Sequence, residues 1–405
     1  MSEPMEQFIE VAVPLCVEQL TVVSSGGRLE SPLPVPQGAF ARPAAQPVAH
    51  ALLTAAEQAR IEQAAYMFGN APESYDIAAS AHSVLRTPDG EGFLNVHLDG
   101  SHWHIPGGII ADDIHKPTTV QWLKNLAIQQ RKTIAIYSVS AEEVPLFREA
   151  GFAVNKFGEE PVIDLHHIDW HGKPFEWVRR QTNYCRRHGL SVVEIQSPQE
   201  QQALATELTE VFYDDLRDRV YSKPLHLLEG RFDPTALGRR RLFIVRDPQT
   251  GKMEGFLIIS PTENGTSWAF ETYRKRRDAV RGTIPFLFRE VIDRLQAEGV
   301  RRISLCLVPG RGVHADRSES ADSRVRWLLG MWYNKLQLIF SASGQDYFKS
   351  RFRPRYTDRY ICVYPRNTCC SIFSFLNTSG ALRINPCNLL RQVAVWLRIL
   401  PKPHH

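Results

Sequence analysis

Two stretches of the chain share one plan. WLKNLAIQQRKTIAIYSV (122–139) and FREVIDRLQAEGVRRISLCLV (288–308) each set an amphipathic helix directly before an apolar strand. Each is followed by a shorter copy of the same move. FREAGF (147–152) leads to a strand at 162–165, and FKSRFRP (348–354) leads to one at 358–364. A chain that does this twice is read as a tandem of two α/β units, with mixed sheets and helices on both faces. The alternative is one larger α/β domain. The boundaries expected are an N-terminal segment with a Pro/Ala-rich linker (1–55), a first unit (56–170), a second unit (171–365) and a tail (366–405).

Local signals fill in this plan. Strands are expected at Phe93–Leu98, Thr133–Val139, Leu242–Arg246, Phe256–Ser260, Thr266–Thr272 and Arg302–Val308. Helices are expected at Val120–Gln130, Glu142–Glu149, Phe175–His188, Ile284–Ala297 and Arg324–Phe340. Gly151, Gly189 and Gly299 stand where three of these helices should close. The DPQTGK stretch between the strands at 242 and 256 is a hairpin signal.

The chain is 405 residues long, with 43% apolar and 23% charged residues, as in ordinary globular proteins. No run of 18 apolar residues occurs, so no helical membrane span is expected. The acidic N-terminus (Glu3, Glu6, Glu10) is unlike a signal peptide, and the apolar patch Phe8–Val23 precedes the linker. Seven cysteines without regular spacing argue against a disulfide framework or a zinc site, and for a reducing compartment. His102 and His104 share one strand face, but no ligand set is completed around them or around His166, His167 and His171.

Charge is uneven although the net is only +4. In GQDYFKSRFRPRYTDRYICVYP (344–365), Phe348 and Phe352 are apolar anchors. Lys349, Arg351, Arg353, Arg355 and Arg359 form a cationic face beside them, suited to a phosphate-bearing partner. Arg179, Arg180, Arg186 and Arg187 load one helix, where they suit an RNA backbone or a solvated basic face. In the tail, Leu389, Leu390, Val393, Trp396, Leu397 and Leu400 fall on one helical face, with Arg391 and Arg398 on another. Such a helix suits an anionic lipid interface or a dock on the core.

The closing stretch resembles that of the aminoacyl-phosphatidylglycerol synthase catalytic domain, the cytosolic part of the multiple peptide resistance factor family. That family runs Tyr-Asn-Phe-x-Gly-Leu, then Phe-Lys-x-Lys-Phe-x-Pro-x-Trp, then Arg-Tyr-Leu. The matching residues are Tyr333 and Asn334, then Phe348, Lys349, Arg351, Phe352, Pro354 and Tyr356, then Arg359 and Tyr360. A second block matches at Gly158, Glu159, Glu160, Asp164, Leu165, Arg179, Asn183 and Gly189. A third places Glu271, Thr272, Tyr273 and Arg274 at a strand end and Gly282, Thr283, Ile284 and Pro285 at a helix start. Pro285 replaces an acid of the family.

The resemblance implies a tandem acetyltransferase-like (GNAT) fold with a crevice between the units. It also implies transfer of an amino acid, lysine or alanine, from aminoacyl-tRNA to phosphatidylglycerol. No cofactor is implied, and the protein would be cytoplasmic and peripheral to the inner leaflet. Glu271 would act as base or hold the aminoacyl ammonium, and Arg274 would anchor a phosphate. Tyr273, Gly282, Lys349, Arg351 and Arg359 would line the substrates. Glu271 and Arg274 could instead pair with each other at the strand end. Two rivals stand beside this reading. One is a coenzyme A-dependent N-acyltransferase, although Val280 stands where its phosphate loop needs glycine. The other is a non-catalytic lipid- or RNA-binding relative.

Overall fold

The computed structural model describes residues 45–396, apart from 80–82, 218, 222–224, 228–231, 236, 317–320 and 335–341. The Phe8–Val23 patch, most of the linker, the end of the helix expected to reach Phe340 and the tail beyond Trp396 lie outside the described residues.

The first half runs β1 (Val48–Ala49), α1 (Ala55–Phe68), β2 (Ser83–Arg86), β3 (Phe93–Asp99), β4 (His102–Ile105), α2 (Lys116–Gln130), β5 (Thr133–Ser140), α3 (Val144–Glu149) and β6 (Ala153–Asp164). The second runs α4 (Glu176–Arg187), β7 (Ser191–Ile195), α5 (Pro198–Leu216), β8 (Arg241–Arg246), β9 (Met253–Thr262), β10 (Ser267–Lys275), α6 (Thr283–Ala297), β11 (Arg302–Ser304), β12 (Val308–Pro309), α7 (Ser323–Asn334), α8 (Ala342–Ser350) and β13 (Arg355–Tyr364). Two tail helices follow, α9 (Cys369–Thr378) and α10 (Pro386–Trp396). α1 opens on a Thr54–Glu57 capping box, and Ser197 caps α5 ahead of Pro198. Gly151, Gly189 and Gly299 follow α3, α4 and α6 with positive φ, the conformation a glycine adopts without penalty.

The mixed α/β plan with an internal repeat is present. β2, β3 and β4 form an antiparallel meander, and α2 returns β5 parallel to β4. β8, β9 and β10 repeat the meander, and α6 returns β11 parallel to β10. The last strand of each half is exchanged. β13 pairs with β5 of the first half, β6 pairs with β11 of the second, and the two pair antiparallel with each other. The result is one continuous sheet in the order β1-β2-β3-β4-β5-β13-β6-β11-β10-β9-β8-β7. Neither half completes its sheet without the other's final strand.

The strand expected over Arg302–Val308 is in two pieces. β11 and β12 are separated at Cys306, which has φ 63°. The reason lies across the sheet. The buried ammonium of Lys349 donates to the Cys306 carbonyl at 2.9 Å and the Leu307 carbonyl at 3.4 Å, so these oxygens serve a cation rather than a ladder. Ser138 on β5 likewise has positive φ, 62°.

Two large cores lie on the two halves. One gathers Leu123, Leu126, Phe147 and Phe152 around β3–β5, and the other gathers Val178, Phe286, Val291 and Phe352 around β8–β11. Phe352 is fully buried, its ring 5.5 Å from Phe288 and 6.3 Å from Trp170. The tail docks through α9. Tyr137 donates to His104 Nδ1 (2.7 Å), His104 Nε2 donates to Ser374 (2.8 Å), and Ser374 donates to Asp99 (2.6 Å). This direction of donation keeps the imidazole neutral, and burial pushes its pKa down to about 4. On α10, the Asn388 amide donates to the carbonyls of Arg217 and Arg219, while Leu390 remains 69% exposed.

Truncating Phe352 should leave a cavity between α8 and α6. Phe352→Ala is expected to lower unfolding stability by about 3–5 kcal/mol. Tyr347→Ala, one turn back on the exposed side of α8, should change it by no more than about 0.5 kcal/mol. Urea melts of the two variants check this; equal losses would contradict the packing described.

Candidate functional site

The exchanged strands bring charged residues into the middle of the sheet. Arg359 on β13 donates to the Glu160 carboxylate on β6, to the Ser138 carbonyl on β5 (3.3 Å) and to the Asn70 carbonyl (2.8 Å). Glu160 is 3% exposed, so its charge requires such a partner. Lys349, also 3% exposed, lies nearby, and burial holds it below the ordinary lysine range. Glu73, 8% exposed, faces the same junction from the turn before Ser74–Ala78. Glu73 Oε2 has no hydrogen-bond partner. Burial first, and the Glu160 charge after it, push its pKa up to about 7 against the pull of Ser138 and Arg359. The partly buried Cys306 thiol is pushed well above the usual thiol range by burial and donates to the Phe270 carbonyl (3.2 Å).

Glu271 lies at one edge of this junction with both oxygens engaged. Arg240 Nε donates to Oε2 at 2.8 Å, Arg240 Nη2 to Oε1 at 3.4 Å, and the Ser260 hydroxyl also reaches Oε2. Arg240 also donates to Asp76 Oδ1 (3.1 Å) and lies over the Tyr75 ring, and so bridges the two halves. Glu271 and Arg274 do not meet. Arg274 faces α5, with its Nε 3.5 Å from Asp215 Oδ2 and its guanidinium 5.0 Å from the Phe212 ring centre. A bulge between Phe270 and Thr272 falls at Glu271. Tyr273 packs edge-on against Phe288 at 5.0 Å, within the core.

The cationic stretch read from 349 to 359 does not form a single face. Lys349 and Arg359 point inward. Arg351 lies over Trp177 and Tyr347 (5.1 and 5.5 Å), and Arg353 and Arg355 are exposed. Sequence alternation could not separate these because Arg353 has φ 55°, which turns the chain between α8 and β13.

The matched blocks do come together. Glu159 accepts from Lys156 (2.8 Å) and Arg311 (2.7 Å), Arg311 also reaches Asp346, and Asp346 accepts from Tyr333 (2.6 Å) and Tyr356 (2.8 Å). A Cβ on Gly158 would lie 2.3 Å from the Val308 carbonyl, so only glycine lets β6 approach β12 so closely. Arg179 serves the scaffold, donating to the carbonyls of Trp170 (2.6 Å) and Gly172 (2.7 Å). Glu73, Asp76 and Arg240 carried no sequence signal. Their position depends on contacts between halves more than 160 residues apart, as the Asp76–Arg240 bridge shows.

An apolar cavity of about 240 Å³ opens beside the polar junction, lined by Tyr137, Phe157, Leu329, Ile361, Val363 and Phe375 among others. The same three strands serve both places: Ser138, Glu160 and Arg359 at the junction, and Tyr137, Phe157 and Ile361 at the cavity. Among the described residues no group of three or more His, Cys, Asp or Glu is placed to hold a metal ion.

Gly282 has φ 91° and closes the loop before α6, and a Cβ there would lie 2.8 Å from Gln181 Oε1 on α4. The loop's amides are engaged internally. Val280 N–H donates to Glu254 Oε2 (3.0 Å), and Arg277 N–H donates to Asp214 Oδ2 (2.9 Å).

Comparison with known proteins gives a consistent result. Residues 69–363 match the family model described as phosphatidylglycerol lysyltransferase, C-terminal. The phosphatidylglycerol lysyltransferase of Bacillus subtilis is 22% identical over 65% of this chain and 30% of that protein. That of Staphylococcus epidermidis is 26% identical over 58% of this chain and 27% of that protein. The chain thus spans less than a third of these relatives' length. Two solved structures share the fold: L-PGS from Bacillus licheniformis (TM-score 0.68, 19% identity, 82% of this chain and 97% of that one), and the C-terminal DUF2156 domain of a putative lysylphosphatidylglycerol synthetase from Agrobacterium fabrum (TM-score 0.66, 19% identity, 82% and 98%). With most of its length matched and its fold shared, the chain belongs to the family of phosphatidylglycerol lysyltransferase C-terminal domains.

Proposed function

We propose that the protein transfers an aminoacyl group from aminoacyl-tRNA to the glycerol hydroxyl of an anionic phospholipid such as phosphatidylglycerol. The observation that carries this reading is the pairing of a buried polar junction with an apolar cavity on the same three strands. An amphiphile would place its headgroup at the junction and acyl carbon in the cavity. Leu382 lines that cavity and is 46% exposed, and Phe373 and Leu390 on α9 and α10 are 62% and 69% exposed. These residues would meet the membrane surface.

In the reaction the lipid hydroxyl oxygen bonds to the ester carbonyl carbon, and the bond from that carbon to the ribose oxygen breaks. The hydroxyl proton needs an acceptor, and the ribose oxygen needs a proton. Glu73 is suited to relay it. It has a free oxygen and a pKa near neutrality, where a general base works best. Glu271, held at both oxygens by Arg240 and Ser260, would position the junction rather than take the proton. Lys349 and Arg359 would offset the headgroup phosphate and the developing oxyanion.

The rival coenzyme A reading fits less well. The amides that would cradle a pyrophosphate are bound by Glu254 and Asp214. Loss of acceptor function at Pro285 is no obstacle, since the proposed base lies in the other half of the sheet.

Expression in a bacterial host followed by lipid extraction and mass spectrometry should reveal an aminoacylated phospholipid and identify the amino acid. Leu329→Trp, which fills the cavity, should abolish it with the fold retained. Absence of any new lipid from a folded, membrane-bound wild type would contradict the reading.

Glu73→Gln should slow transfer by about 10²- to 10⁴-fold. The wild-type rate should fall as pH drops below about 7, where Glu73 protonates. Stability runs the other way. The folded-state pKa lies above the unfolded value of 4.5, so the stabilising contribution is full below that value and lost as pH rises through about 7. Glu73→Gln should therefore exceed wild type in stability at about pH 8, by on the order of 3 kcal/mol, and the gap should shrink toward pH 5. Thermal melts at the two pH values check it. A variant less stable than wild type at both would make Glu73 a structural residue.

A further inference from the structure

A second feature lies away from the junction, on α4. The helix carries four arginines, and the structure separates their roles. Arg179 turns in to the Trp170 and Gly172 carbonyls, and Arg186 meets Glu290 at 2.7 Å. Arg180 and Arg187 are exposed, and Arg281 joins them from the loop before α6. Together with Arg186, Asn183 and Tyr184 they line an open groove of about 720 Å³, and among the described residues none that lines it is acidic. The chain as a whole nearly balances its charges, 48 basic against 44 acidic, so four arginines in one concavity are a local excess. Tyr184 is 38% exposed, with its ring 4.2 Å from His188, and offers an aromatic face at the groove.

We infer that this groove docks the sugar–phosphate backbone of RNA, the polynucleotide part of the donor. The inference rests on the aminoacyl-tRNA reading above. Arginines spaced along a concave surface match a chain of phosphates, and an exposed aromatic ring accepts a stacked base. A single phosphate would need a closed cradle, and the nearest loop amides are occupied by Glu254 and Asp214. A membrane would need exposed apolar side chains among the cations. Those lie elsewhere, at Phe373, Leu382 and Leu390. The groove is also connected to the site. Gln181 and Cys185 on its helix abut Gly282, and the loop that Gly282 closes leads directly from β10, which carries Glu271.

Fluorescence anisotropy with deacylated, labelled tRNA tests the inference, with sedimentation on phosphatidylglycerol–phosphatidylcholine vesicles as the parallel measurement. Combined Arg180→Glu, Arg187→Glu and Arg281→Glu should weaken tRNA binding more than about tenfold. It should also flatten the slope of log affinity against log salt by about two to three, as expected for the loss of about three phosphate contacts. Vesicle binding should stay unchanged. The Arg→Gln triple should show a smaller loss in the same direction, with a circular dichroism spectrum like wild type. Tyr184→Ala should weaken binding about tenfold with the slope unaltered.

Unchanged tRNA affinity in the charge-reversed protein would overturn the inference. So would a loss of vesicle binding as large as the loss of tRNA binding, which would make the groove a membrane surface. The transfer reading fails separately. Groove-dependent tRNA binding by a wild type that makes no aminoacylated lipid would retain the groove and reject the acceptor. Lipid product with groove-independent tRNA binding would retain the transfer and reject the groove.

Discussion

The Arg359–Glu160 pair joins the two exchanged strands, and much of the rest follows from it. β13 closes the sheet of the first half and β6 closes that of the second, so the pair lies on the seam where each half borrows from the other. A guanidinium there has three acceptors, from β6, β5 and the turn at Asn70. Removing either partner would leave a buried charge without compensation, which is far more costly than the pair itself is stabilising. The exchange also ties the two halves together, because each sheet takes its closing strand from the other half.

That seam explains why polar groups accumulate in the centre of a sheet that is otherwise apolar. β5 and the link between β11 and β12 each contain a residue with positive φ, Ser138 and Cys306, and the carbonyls there accept from Arg359 and Lys349. The gap in ladder pairing is therefore filled by cations, and cations draw in carboxylates. Glu73 is the member with an oxygen left over. Along the same strands the side chains turn apolar and line a cavity under α7 and α9. A polar end and an apolar end within a few residues of each other are what an amphiphilic acceptor requires.

Much of the fold was legible because it is written in local periodicity. The helix and strand at 122–139 and again at 288–308, the hairpin at 247–252 and the glycines after α3, α4 and α6 all depend on neighbours in sequence. α5 and α9 were not read, since Thr, Gln and Ser dilute their apolar stripes. The division of β11 from β12 could not be read either, because its cause, Lys349, comes more than forty residues later. Of the candidate site, the blocks around Gly158 and Arg359 were matched separately in the sequence, and the structure joins them through β6 and β13. Glu271 and Arg274 were adjacent in the motif but take different partners, Arg240 and Ser260 for Glu271 and α5 for Arg274, and those partners come from distant parts of the chain.

The sequence by itself determined the repeated α/β plan, the identity of the family and the residue types available for binding phosphate. Those properties reside in spacing and composition, which survive without a third dimension. Only the tertiary structure decided which charges are used and how. It buried Lys349 and turned Arg359 inward to Glu160 while leaving Arg353 and Arg355 in solvent, gave Glu271 to Arg240, and brought Glu73 to the seam. The physical reason is that burial and pairing set the energy of a charge. Both are fixed by strands that meet from opposite ends of the chain.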